Sequence, residues 1–206
     1  MTSIITGDII NSRSLNDQGL WLSQLKQCLE YLSKGDNRTY EIFRGDSFQI
    51  EVKDFLDSFE HAVYIKSCLK CIKGIDIRLA IGIGDKTFQG DKVSESNGEV
   101  FQYSGGTLEL LKQEKTNLKI KTSHNNLNKE LNLYFKLALI AMDNWTVNSA
   151  ETVKLSLEHK NKLQKDLAQL LGINQEAVSK RLKRAYFEEI QELNRLFREK
   201  IAILIQ

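Results

Sequence analysis

Apolar and polar residues alternate at strand spacing in four stretches of the chain, residues 2–6, 40–52, 75–83 and 118–121. The second stretch contains two such runs that meet at Gly45, so it predicts a β-hairpin. Between these stretches, apolar residues recur every three to four positions over residues 20–33, 54–72 and 97–113, which predicts three helices.

The order of these elements is strand, helix, hairpin, helix, strand, helix, strand. It predicts an α+β fold, a ferredoxin-like sandwich with the helices packed on one face of the sheet. In such a sheet the carboxyl end of the first strand and the tip of the hairpin lie side by side.

The pattern changes at residue 124, after which helical spacing dominates. We predict an α+β domain over residues 1–123, a connecting helix within 124–149 and a wholly helical module over 150–206. The connecting helix is strongly apolar over residues 131–145, and residues 187–204 form an amphipathic helix. Helices of this kind bury their apolar side against a domain or a second subunit, so we expect a homodimer.

The composition limits the partners only loosely. The 206 residues carry a formal net charge of +2, so a nucleic-acid partner must be inferred from a local patch. The three cysteines fit reduced thiols and a cytoplasmic protein, and the pair Cys68 and Cys71 is better explained by a helix than by zinc or redox chemistry. No apolar run has the length of a membrane span, so no membrane partner is expected.

Two Gly-Asp pairs are the candidate chemistry of the first part. Asp8 ends the first strand, and Asp46 lies at the hairpin tip. If the two strands are neighbours, the carboxylates form one divalent-cation site. The alternative is that both are ordinary turn aspartates.

A second informative stretch, QKDLAQLLGINQEAVSKRLKR, covers residues 164–184. Leu167, Ala168 and Leu171 share one side of a first helix, Gly172 forms a tight turn, and Val178 lies on the inner side of a second helix. This spacing resembles the helix-turn-helix of bacterial regulators.

In that motif the second helix enters the DNA major groove, and its exposed residues contact bases and phosphates. The residues that we expect to contact DNA are Asn174, Gln175, Ser179, Lys180 and Lys183. The alternative is a helix pair that serves only for packing.

The segments TGDI, RGDSF, IRLAIGIG and NGEVFQYSGGTLEL occur in this order along the first part of the chain. This order is similar to that of the class III nucleotidyl cyclases and their palm-domain relatives. The chain as a whole resembles the SatD family of small bacterial proteins, in which a cyclase-like domain precedes a helix-turn-helix.

The resemblance implies a site for two Mg²⁺ or Mn²⁺ ions that bind a nucleoside triphosphate. The ligands would be the carboxylates of Asp8 and Asp46 and the backbone carbonyl of Ile9. Two cations held in this way neutralise phosphate oxygens and stabilise the leaving pyrophosphate. For phosphate binding, we expect backbone N–H groups of a turn that starts a helix, together with two basic side chains. The turn consists of Asn11, Ser12 and Arg13, and the basic side chains are those of Arg44 and Lys86. The alternative, which the sequence favours for Arg44 and Lys86, is that each is a solvated surface charge.

One departure from the cyclase pattern concerns catalysis. In that family the helix after the last core strand carries an asparagine and, four residues later, an arginine that stabilises the transition state. The matching positions here are Gln102 and Gly106. We therefore favour a DNA-binding regulator whose cyclase-like domain binds nucleotide and metal or serves as a dimerisation scaffold. The alternative is an active nucleotidyl cyclase or nucleotidyltransferase.

Overall fold

The computed structural model describes residues 1–12, 18–43 and 45–205 and has an α+β fold. The described strands are β1 (Thr2–Ile10), β2 (Tyr40–Phe43), β3 (Ser47–Val52), β4 (Asp76–Gly84) and β5 (Leu118–Lys121). The described helices are α1 (Gln18–Ser33), α2 (Ser58–Lys70), α3 (Glu99–Glu114), α4 (Asn125–Met142), α5 (Val147–Glu158), α6 (Gln164–Leu171), α7 (Gln175–Arg184) and α8 (Phe187–Ile201). Each element that the hydrophobic pattern predicts in the first 121 residues is present.

The five described strands form one mixed sheet in the order β2-β3-β1-β4-β5. Strand β1 lies antiparallel between β3 and β4, and β5 adds to the edge parallel to β4. The predicted neighbourhood of the first strand and the hairpin is thereby confirmed. In this register Asp8 lies opposite Ser47 on one side and opposite Arg78 on the other.

Helices cover both faces of the sheet, so the prediction that they share one face is wrong. Helices α1 and α2 pack on the face that carries Ile5 and Ile81, whereas α3 packs on the face that carries Ile4. Strands β1 and β4 have apolar or small residues on both faces, and the second face therefore also needs cover. Gly82 lets α3 approach closely, because a Cβ there would lie 2.4 Å from the Val100 carbonyl oxygen.

The main core extends from the sheet into the C-terminal helices. Three aromatic rings join α2, α4 and α8 at its centre: Phe59 stacks on Phe135 with ring centroids 4.8 Å apart, and Phe197 packs against Phe59 at 5.8 Å in a tilted arrangement. Residues on both sides of the predicted domain boundary at residue 124 thus belong to one hydrophobic cluster. Among the described helices, including α4, none is long and apolar enough to cross a membrane.

Helices α5, α6 and α7 enclose a smaller core, in which Leu167, Ala168 and Val178 are buried. Helix α6 ends at Gly172, whose φ of +63° is the left-handed conformation that glycine adopts at least cost. Helices α6 and α7 lie within residues 164–184 on either side of Gly172, as the sequence predicts. The Trp145 indole Nε1 donates a hydrogen bond of 2.9 Å to the Ala185 carbonyl and so joins the end of α4 to the end of α7.

Candidate functional site

The two predicted acidic residues lie at adjacent strand ends. The Asp8 carboxylate accepts a 3.3 Å hydrogen bond from the Ser47 hydroxyl, and Ser47 directly follows Asp46 in the chain. The Asp46 carbonyl accepts a 2.9 Å hydrogen bond from the Ile9 N–H, and its carboxylate accepts one of 2.9 Å from the Ser12 hydroxyl. We call this group of residues the β1–hairpin site.

The backbone of the site combines the extended end of β1 with a tight turn at the hairpin tip. In an extended strand the N–H and C=O groups of one residue point to the same side, so the Ile9 carbonyl is directed toward the hairpin tip. Gly45, with φ of +86°, adopts the left-handed conformation that the tip requires. The two carboxylates and one carbonyl are oxygen ligands, which Mg²⁺ prefers, and water completes its coordination in most protein sites.

Arg78 is a member of this site that the sequence analysis did not select. Its Nη1 lies 3.4 Å from the Asp8 Oδ2, and the two side chains are 24% and 15% exposed. Its Nε is buried and has no hydrogen-bond partner within the described residues. Alternation in β4 places Arg78 on the face opposite Ile77 and Leu79, but only the pairing with β1 puts it beside Asp8.

No group of three or more His, Cys, Asp or Glu side chains forms a metal cluster in the described ranges. The β1–hairpin site contains two carboxylates, and a positive side chain faces one of them. A divalent cation here would therefore be bound mainly together with an anionic ligand such as a triphosphate, which adds oxygen ligands of its own.

The structure describes two of the three residues of the predicted phosphate-binding turn. Asn11 and Ser12 form a turn directly after β1, and helix α1 is described from Gln18 onward. The Asn11 side chain donates a 3.2 Å hydrogen bond to the Gly74 carbonyl, and φ of Asn11 is +64°. Ser12, which contacts Asp46, joins this turn to the β1–hairpin site, and Arg13 lies outside the described residues.

Of the two basic side chains predicted to face phosphate, Lys86 lies within the described residues and Arg44 does not. Lys86 is not at the hairpin tip, because its Nζ lies 2.6 Å from the carboxylate of Glu51 near the other end of β3. That carboxylate is only 11% exposed, so the ion pair holds the lysine there. Arg44 lies outside the described residues.

Helix α3 presents the two positions that depart from the cyclase pattern to solvent. Gln102 and Gly106 are both exposed, whereas Ser104, which lies between them, accepts a 3.0 Å hydrogen bond from the Thr6 hydroxyl on the sheet. The glycine predicted to begin this helix is its N-cap, Gly98, where a Cβ would lie 2.4 Å from the Asp85 carbonyl oxygen. Gly106 thus supplies no positive charge on the outer face of α3.

The second candidate surface is the outer face of α7. Gln175, Ser179, Lys180 and Lys183 are exposed there, as the sequence predicts. Asn174 is also exposed, but its side-chain oxygen accepts a 2.8 Å hydrogen bond from the Ala177 N–H and caps the helix.

Not every basic residue of α7 belongs to this surface. Arg181 is only 19% exposed, and its Nη1 lies 3.4 Å from the Glu151 carboxylate of α5, so it joins two helices. Lys180 lies 2.6 Å from Glu176 in the preceding turn, but both side chains are more than half exposed, and such pairs are weak. The solvent-facing charge of α7 therefore comes from Lys180, Lys183 and Arg184.

Two further lysines extend this basic surface toward α6, and the sequence analysis did not select them. Lys162 and Lys165 are exposed at the start of α6. The sequence signal that could have identified them is their position just before and within the first turn of α6. In a helix-turn-helix the first helix crosses the DNA backbone, so lysines at its start can contact phosphates.

The cysteines are placed as a structural role requires. Cys28 and Cys68 are buried, and burial raises the pKa of the Cys28 thiol. Burial also raises the pKa of Cys71 to about 12, and its thiol donates to the Ser67 carbonyl. Thiols with such pKa values react and bind metals poorly at neutral pH.

Comparisons with known proteins returned no relative. No protein-family model matches the chain, no curated protein matches it, and no solved structure matches it.

Proposed function

We propose that this protein is a DNA-binding regulator, of the kind that the SatD resemblance implies, whose N-terminal part binds a nucleotide together with Mg²⁺ or Mn²⁺. The observation that carries the proposal is the solvent-facing side of α7. It combines hydrogen-bonding side chains, Gln175 and Ser179, with the charges of Lys180 and Lys183.

The polar and the basic side chains of this surface suit different parts of DNA. Glutamine and serine can form hydrogen bonds with base edges in the major groove, and lysines neutralise phosphates. The α6–α7 pair, with its tight turn at Gly172 and its own small core, is the arrangement in which a helix-turn-helix presents its second helix. Because α7 is not covered by the sheet or by α8 on this side, a DNA duplex can reach it.

The first experiment measures salt dependence. Binding to a duplex of arbitrary sequence should weaken as salt rises, and Lys183→Ala should lower the slope of log K against log salt by about one unit. Lys26→Ala is the matched control, since Lys26 is exposed on α1 and far along the chain from α7. No detectable binding at low salt, or an equal loss in both variants, would contradict the proposal.

The second experiment tests base recognition. On a duplex selected from a randomised pool, Gln175→Ala or Ser179→Ala should cost about 1–3 kcal/mol and relax the preference at one base position. Lys183→Ala should weaken all sequences equally. An equal loss of affinity for all DNA sequences in every variant would show that α7 contacts only the phosphates and does not recognise bases. We expect the natural target to be the promoter of the protein's own gene.

The strand order supports the ferredoxin-like, cyclase-like part of the proposal. Strand β1 is inserted between β3 and β4, which α2 connects, and this is the split βαβ arrangement of that fold class. Helix α3 and strand β5 extend it at one edge. In the nucleotidyl cyclases that the chain resembles, these paired strand ends carry the metal ligands, as we expect here for Asp8, Ile9 and Asp46.

An active nucleotidyl cyclase or nucleotidyltransferase is the second candidate, and the proximity of Asp8 and Asp46 favours it. The absence of a side chain at Gly106 favours binding without cyclisation. Purified protein incubated with each nucleoside triphosphate and Mn²⁺ would distinguish the two, because mass spectrometry separates bound triphosphate from released pyrophosphate and cyclic product.

Variants connect that measurement to the site. Asp8→Asn and Asp46→Asn should each abolish the divalent-dependent part of nucleotide binding, because each removes a metal ligand. Asp91→Asn, at an exposed loop position, is the matched control and should keep the divalent-dependent part of nucleotide binding. Unchanged affinity in both site variants would reduce Asp8 and Asp46 to turn residues.

A further inference from the structure

An apolar groove runs between α4 and α8, with a volume of about 660 Å³. Leu137 and Ile140 of α4 form one wall, Leu193 and Leu196 of α8 form the other, and Tyr186 lies at one end. A groove of this size lined by aliphatic side chains is costly to leave in water.

An apolar ridge lies directly beside the groove. Leu133, Leu137 and Ile140 of α4 are 55%, 57% and 68% exposed. Their spacing of four and three residues places them on one side of the helix, as a continuous stripe. Ridge and groove together form one surface, which we call the α4–α8 face.

The face is preformed. Behind the groove, the rings of Phe135 and Phe197 lie 6.1 Å apart in the core. At its side, the Lys200 Nζ lies 2.8 Å from the Glu130 carboxylate, which also accepts a 2.7 Å hydrogen bond from the Tyr134 hydroxyl. These contacts hold α4 and α8 at a defined separation, so an occupant meets a groove that already exists.

Charge is distributed unequally across the face. The ridge carries Lys129 and Lys136 at exposed positions of α4, whereas the rim on α8 carries the exposed acids Glu189 and Glu192. Arg195 lies 3.9 Å from the Glu192 carboxylate, but both side chains are mostly exposed and such pairs are weak, so Glu192 stays open to a partner. A ridge with positive charge thus lies beside a groove with negative charge, and each is complementary to the other.

We propose that a second copy of this chain occupies the α4–α8 face, with the α4 ridge of each protomer in the groove of the other. A two-fold dimer requires a self-complementary patch, and a ridge beside a groove of opposite charge is such a patch. A small apolar ligand would fill the groove but leave Leu133 and the lysines outside the contact. The inference does not depend on DNA or nucleotide binding.

Measurement of the molar mass by light scattering or sedimentation tests the proposal. The full chain should have twice its mass of 23.6 kDa at micromolar concentration. Leu137→Glu and Ile140→Glu should each give the monomer mass, because a charge in the interface has no partner there. Leu110→Glu, at a leucine 47% exposed on α3, is the matched control and should remain dimeric.

Charge reversal tests the predicted contact itself. A chain with Lys129→Glu and Lys136→Glu, and a chain with Glu189→Lys and Glu192→Lys, should each dimerise at least tenfold more weakly than the wild type. An equimolar mixture of the two should restore the dimer, since in the mixed dimer every ridge meets a groove of opposite charge. Monomeric wild type, or reversed chains that dimerise like the wild type, would overturn the proposal.

Discussion

Lys66 forms a buried polar link between the sheet and the C-terminal helices. Its side chain is 1% exposed, and its Nζ lies 2.6 Å from carboxylate oxygens of both Asp76 and Asp143. Lys70 joins the same group, 3.4 Å from the Asp76 carboxylate and 2.7 Å from the Asp143 carbonyl. One buried cation therefore holds the start of β4 and the end of α4 together.

Lys66→Met should lower the free energy of unfolding by about 3 kcal/mol, because the partly buried Asp143 carboxylate loses its cation while Asp76 keeps Lys70. Urea denaturation followed by circular dichroism measures the change. Lys26→Met, at an exposed position on α1, should change it by less than about 0.5 kcal/mol. Similar effects of the two substitutions would show that the buried cation contributes little.

At the scale of elements, two glycines show that the backbone conformation decides whether a glycine-to-alanine substitution stabilises or destabilises the fold. Gly172 ends α6 with φ of +63°, whereas Gly106 lies inside α3. A Cβ at either position would have no heavy atom within 4 Å, so packing does not distinguish them. The difference lies in the backbone alone.

Gly172→Ala should lower the free energy of unfolding by about 1–2 kcal/mol, since alanine is strained in the left-handed conformation. Gly106→Ala should raise it by roughly 0.5–1 kcal/mol, since alanine loses less backbone entropy in a helix. Thermal and urea denaturation of the two variants measures both changes. A change of the same sign in both would contradict the predicted conformations of these residues.

At the scale of the whole molecule, the continuous core couples the sheet to the C-terminal helices. The two tryptophans report on its two ends: Trp21 of α1 is 3% exposed and lies under the sheet, and Trp145 is 4% exposed beside the end of α7. Both belong to the same hydrophobic cluster. We therefore expect one cooperative unfolding transition, although the pattern along the chain predicts separate modules.

Single-tryptophan variants test this cooperativity. In the Trp21→Phe variant, the fluorescence of Trp145 and the far-ultraviolet circular dichroism should give the same urea midpoint. In the Trp145→Phe variant, the fluorescence of Trp21 and the circular dichroism should also give one midpoint. The comparison is made within each variant, because loss of the Trp145 hydrogen bond shifts the overall stability. Two separated midpoints in either variant would instead support independent modules.

The sequence by itself determined the elements and the local geometry of both candidate sites. Strand and helix periodicity, with glycines at the turns, predicted the hairpin that positions Asp46 and the α6–α7 pair that exposes Gln175 and Lys183. These features depend on residues only a few positions apart, and steric and hydrogen-bonding preferences act at that range.

The tertiary structure alone decided which distant residues meet. Only the pairing of β1 with β4 places Arg78 beside Asp8, and only the register of β1 with β3 and β4 places Lys86 beside Glu51 and away from the hairpin tip. The buried position of Lys66 likewise depends on the end of α4, which lies far from it in the chain. Such contacts follow from how whole hydrophobic faces are covered, and periodicity along the chain shows that a face is apolar without showing what covers it.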